Sequence, residues 1–132
     1  MLSRSTQLAA VVLVLAAACG GGGSSPTPTS PTPSPGGSSG ATITITSSGV
    51  SPRAVTVSVG SRVTFVNNDS RPHEMNSDPH PDHTDCPAIN EVGFLTPGQS
   101  RQTGNLNTPR TCRYHDHNRD SDTSLQGSIT IQ

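Results

Sequence analysis

An all-β fold, a Greek-key antiparallel β-sandwich, follows from three features of the sequence over residues 41–132. Short stretches alternate apolar and polar residues with the period of two that marks a half-buried strand. Gly and Pro turns separate these stretches at short intervals. No window carries the 3.6-residue apolar period of a helix, so sheets must bury one another.

The elements follow in order. Ala41 to Thr46 sets Ile43 and Ile45 on one face. Val55 to Val59 repeats the pattern, Gly60-Ser61 turns the chain, and Arg62 to Asn67 runs with Val63 and Phe65 inward. Phe94-Leu95 is followed by the tight turn Pro97-Gly98 and a weaker strand around Arg101 to Leu106. Thr111 to His115 brings up a polar cluster, and Ser128 to Ile131 closes the domain in the style of its opening.

The N-terminal residues read as targeting, not fold. Arg4 gives a positive start, and Leu8 to Leu15 form an apolar run too short to span a bilayer as a mature helix. Ala16-Ala17-Ala18-Cys19-Gly20 resembles a bacterial lipobox. Residues 1–19 are thus expected to be a lipoprotein signal with Cys19 lipidated, against an ordinary secretory signal cut near the same alanines. Residues 20–40 are almost wholly Gly, Ser, Thr and Pro, an expected disordered linker with too little apolar surface to offset its chain entropy. The expected location is the cell envelope, with a membrane partner through the lipid. Residues 41–132 suffice for one small domain. With a net charge of −1 and no basic patch, nucleic acid is not an expected partner.

Three cysteines are an odd count for an exported chain. With Cys19 lipidated, Cys86 and Cys112 remain as a pair, expected to be a disulfide in an oxidising compartment. Closing that loop stabilises the fold by roughly 3–4 kcal/mol on the chain-entropy estimate. The competing reading makes Cys86 or Cys112 a metal-ligating thiolate.

All five histidines lie between His73 and His117. His73 follows the turn Asn67-Asn68-Asp69-Ser70-Arg71-Pro72, and His115 and His117 end the strand that begins near Thr111. Residues two apart on a strand share a face, so His115 and His117 project together and Cys112, Tyr114 and Asp116 project oppositely. His80 and His83 sit in the polar loop Met75 to Cys86. That loop is either solvated surface or a source of further ligands. If Cys86 bonds to Cys112, the loop is drawn beside the last cluster, where His80 or His83 approaches His115.

The run Gly49 to Phe65, with its x-Pro step, Gly turn and strand ending in Asn, resembles the cupredoxins, the plastocyanin and azurin family. So do His73 after the Asn-rich turn and Leu125-Gln126-Gly127 leading into the final strand. The resemblance spans essentially all of 41–132, and its two ends carry the information while the middle does not. It implies a copper site at one pole of the sandwich with His73 as first ligand. It also places Asp116 where that family has its thiolate and Leu125 where it has an axial Met. Without the thiolate a blue electron-transfer centre is not expected. Imidazoles, with Asp116 as an additional carboxylate, suit Cu(II), or Zn(II) by default.

Two registers stay open. With Asp116 inward, His115 and His117 flank it and point away; with the strand offset by one, a histidine faces His73. The expectation adopted is the second, with His73, His115 and His117 as ligands and Asp116, His80 and His83 as secondary candidates. The expected function is copper binding, delivery or electron transfer, with no enzymatic activity. The alternative is an interaction or structural domain of the same fold that binds no metal.

Overall fold

The computed structural model describes residues 40–132. The expected signal (1–19), Cys19 and all but the last residue of the linker lie outside the described residues.

Among the described residues nine strands form two facing sheets. They are β1 (Thr42–Thr46), β2 (Gly49–Ser51), β3 (Ala54–Val57), β4 (Thr64–Asn67), β5 (His73–Ser77), β6 (Gly93–Leu95), β7 (Ser100–Gln102), β8 (Arg110–Asp116) and β9 (Gly127–Ile131). One sheet has the order β2-β1-β4-β7 and the other β3-β9-β8-β5-β6. The expected β-sandwich is present, and both its sheets are mixed. β1 runs parallel to β4 and β3 parallel to β9, while the remaining pairs are antiparallel. The parallel pairs arise because the chain changes sheets between β2 and β3 and returns beside β1 at β4. Among the described residues helix is confined to three 3₁₀ turns, Pro87–Glu91, His117–Arg119 and Thr123–Leu125, and no helix is long and apolar enough to cross a membrane.

The alternation read from sequence is the alternation that packs. Ile43, Ile45 and Phe65 from one sheet, with Val63 just before β4, are fully buried in one core with Met75 and Ile129 of the other. Phe65 and Tyr114 meet edge to face across the sandwich with centroids 5.1 Å apart. Such a pair adds about 0.5–1.5 kcal/mol beyond its area. Burial pushes the Tyr114 phenol well above the ordinary tyrosine range. Its hydroxyl lies so close to Gly127 that a Cβ there would collide with it and with the Arg53 carbonyl, so only glycine can open β9.

Cys86 and Cys112 are joined, with Cα atoms 5.9 Å apart and a sequence separation of 26. This bond ties the segment after β5 to β8. β5 itself is the strand that periodicity does not show. In His-Glu-Met-Asn-Ser the buried alternate positions His73, Met75 and Ser77 include two polar residues, so the pattern reads as loop. Its neighbours are β6 and β8. β5 and β8 are therefore adjacent and antiparallel, which brings the segment after Asn67 beside the strand that leads to His117.

Candidate metal centre

The register of β5 on β8 decides what each side chain can reach. Met75 lies opposite Asp116, Asn76 opposite His115, and Ser77 opposite Tyr114. Residues directly opposite on an antiparallel pair share a face. Asp116 thus turns inward with Met75 and Tyr114, and His115 turns outward with Asn76. Of the two registers open to the sequence, the structure has the first.

The inner face builds an ion-pair cluster around His73, which is fully buried. Its Nδ1 lies 2.8 Å from Asp116 Oδ2 and its Nε2 3.1 Å from Asp69 Oδ2. Arg119 Nη1 donates to Asp116 Oδ2 at 3.2 Å, and Arg71 Nε to Asp69 Oδ2 at 3.1 Å. The second Asp116 oxygen accepts the backbone N–H of Glu74 at 3.2 Å and of Asn118 at 3.1 Å, capping the turn His117–Arg119. Burial by itself raises the Asp69 carboxyl, but hydrogen bonds from His73, Ser70 and Arg71 outweigh it and hold the group at about 2.

The outer face gathers the other four histidines. One ligand atom each from His80, His83, His115 and His117 lies within 4.8 Å of the others. Ring centroids in the contacting pairs are 4.9 to 5.6 Å apart. His83 Nε2 is 2.8 Å from His117 Nδ1. His115 is 2% exposed, and its Nε2 is buried without a hydrogen-bond partner. An orphaned buried acceptor costs about 1–3 kcal/mol, so it is an atom with an unmet bonding demand. His83 has a left-handed backbone, φ 53°, a conformation uncommon outside glycine and tolerated by histidine more than by most residues.

The expected trio is therefore divided. His115 and His117 are brought together with His80 and His83, the residues ranked as secondary from sequence. His73 is not among them, because it stands on the inner face with both ring nitrogens engaged by carboxylates. Asp116 is likewise on the inner face, bonded to His73. The physical reason is the pleat: a one-residue change of position reverses the face. Two contributors had no signal in the sequence. Asp78 Oδ1 is 2.7 Å from His115 Nδ1, and the Ser77 carbonyl is 2.9 Å from His83 Nδ1.

Copper as the cupredoxin resemblance would place it can be tested on these residues. The inner pole does not fit: its imidazole has no uncommitted nitrogen, a guanidinium sits beside Asp116, and the buried Leu125 offers no donor atom. The outer cluster fits. Four nitrogens about 2.0–2.1 Å from one ion are spaced roughly 3–4 Å apart, so side-chain rotations suffice to close a set already within 4.8 Å.

No protein-family model matches the chain, and no curated protein matches it. Solved structures do. A purple cupredoxin from Nitrosopumilus maritimus is 20% identical, with TM-score 0.55 over 70% of this chain and 99% of that one. Plastocyanin from Dryopteris crassirhizoma is 19% identical, with TM-score 0.54 over 70% of this chain and 100% of that one. An amicyanin variant described in its Cu(I) form is 16% identical, with TM-score 0.55 over 70% of this chain and 82% of that one. The fold is cupredoxin-like. At these identities the likeness concerns the fold alone.

Proposed function

We propose that this chain is an exported, lipid-anchored protein of cupredoxin-like fold that binds copper through histidines, for copper binding and delivery or for electron transfer. The observation that carries the proposal is the convergence of His80, His83, His115 and His117, whose ligand atoms lie within 4.8 Å of one another. An all-imidazole set is borderline in character and suits Cu(II). The amicyanin likeness, with its Cu(I) form, supports copper over zinc as the ion to test first. No thiol belongs to the set, since Cys86 and Cys112 are bonded to each other. Bound Cu(II) should accordingly give a type 2 resonance and weak visible absorption. The lipobox-like Ala16 to Gly20 supports anchoring at Cys19, with residues 20–40 as spacer.

The competing reading is a metal-free interaction domain. It is favoured by the His83–His117 hydrogen bond, which engages one nitrogen of each of those rings without an ion. Metal analysis of the purified chain, with Cu(II) electron paramagnetic resonance, separates the two. One copper per chain with nitrogen hyperfine structure supports the first reading. A chain that takes up no copper at micromolar concentration supports the second.

A further inference from the structure

The histidine cluster has an outer layer that sequence reasoning did not reach, and the inference drawn from it rests on the copper reading above. We propose that Asp78 is a positioning residue for the metal centre, acting with the Ser77 carbonyl to hold His115 and His83 with Nε2 turned toward the ion.

The geometry is specific on three counts. A carboxylate or carbonyl oxygen only accepts, so the ring atom facing it must be the N–H. His115 Nδ1, 2.7 Å from Asp78 Oδ1, and His83 Nδ1, 2.9 Å from Ser77 O, are then the protonated nitrogens of those neutral rings. The lone pair of each falls on Nε2. For His115 this Nε2 is the buried, partnerless atom, and for His83 it is the atom 2.8 Å from His117.

The supporting groups are themselves held. Arg113 Nε lies 3.3 Å from the other Asp78 oxygen. Asp78 N donates to Arg113 O at 3.1 Å, extending the β5–β8 ladder by one residue. The His83 carbonyl accepts from Ser77 Oγ at 3.0 Å and Asn90 Nδ2 at 2.8 Å, and Asn90 Oδ1 accepts from Ser77 N at 2.8 Å. Rings fixed in this way need little reorganisation to bind an ion. A carboxylate on the far nitrogen also raises the basicity of the ligating one, and loss of such a partner commonly costs 10–100-fold in metal affinity.

The experiment compares the full-length chain with its Asp78→Ala and Asp78→Asn variants. Cu(II) affinity is read by competition with a chelator, and the remote imidazole nitrogens by pulsed electron paramagnetic resonance. Asp78→Ala should weaken Cu(II) binding at least tenfold and change the coupling of one remote nitrogen, with the number of coordinated nitrogens unchanged. Asp78→Asn, whose amide oxygen still accepts, should restore part of the affinity. Asp85→Ala should leave affinity as in wild type, because Asp85 pairs with Arg110 and not with a histidine. Nitrogen NMR of the metal-free wild type should show His83 and His115 protonated at Nδ1, a readout that needs no variant to fold. Wild-type affinity and unchanged remote coupling in Asp78→Ala, or Nε2–H in His115, would overturn the proposal while leaving copper binding intact. A wild-type chain that takes up no copper would overturn both.

Discussion

Two faces of one strand end do different chemistry within three residues. On the inner face Asp116 and Asp69 engage both ring nitrogens of His73 and are each paired with an arginine. On the outer face His115 and His117 meet His80 and His83, with at least one buried nitrogen left over. The inner cluster is closed and charged, and the outer one is open and built of imidazoles. In a cupredoxin-like sandwich the pole near His73 is where a metal is expected. Here that pole has the character of a structural lock, and the proposed ligands lie on the opposite side of the same strand.

The comparison breaks first if the lock can be removed cheaply. Asp116 is fully buried, accepts from His73 and pairs with Arg119, and removing one member of a buried ion pair commonly costs about 3–5 kcal/mol. Asp116→Ala should lose stability in that range by denaturant unfolding. A loss under about 1 kcal/mol would mean that the inner cluster contributes little.

The disulfide tests how far the two faces depend on each other. It joins Cys112, buried on the inner face of β8, to the loop that carries His80 and His83 over the outer face. Cys86→Ser with Cys112→Ser should cost about 3–4 kcal/mol from restored chain entropy. It should also weaken copper binding, since the loop is no longer tied beside His115. Unchanged affinity in calorimetric titration would show that the hydrogen bonds of Ser77 and Asn90 suffice to hold the loop.

A smaller effect is expected at single ligands, and it sets the faces directly against each other. Replacing His83 or His117 by Ala should weaken Cu(II) binding at least tenfold, about 1.4 kcal/mol. His73→Gln should keep the copper stoichiometry even where it lowers stability. The reverse result, with His73→Gln silent in stability and deprived of copper, would return the site to the inner pole.

How much of this was legible depends on where the apolar residues stand. β1 and β9 each carry two apolar residues at alternate positions, and β4 carries Phe65 two places after the buried Val63, so their inward faces follow from period alone. The disulfide followed from counting cysteines in a chain expected to be exported. β5 was hidden because His73, Met75 and Ser77 fill its inner face with a single apolar side chain. That strand is the one whose register settles Asp116 against Met75. With polar residues on both sides of Asp116, nothing local distinguished its inward face from its outward one. The five histidines were all visible as candidates. Their division into one engaged ring and one cluster was a tertiary fact.

The smallest effect concerns acid, and it distinguishes charge from shape on the inner face. Asp69 is held at about 2, against an ordinary value of 3.8. A carboxyl with a depressed folded value favours the folded state above its unfolded value, where it is ionised in both states. That contribution is lost as pH falls through the folded value. The window is therefore pH 4 down to 2, with full effect above it. Unfolding midpoints of wild type and Asp69→Asn should differ by a constant amount from neutral pH to about 4 and converge toward pH 2. Convergence means that the ionised carboxylate, bonded to His73, Ser70 and Arg71, supplies the difference. A gap that persists at pH 2 would assign Asp69 a packing role that its amide analogue cannot fill, and the inner face would then be held by fit more than by charge.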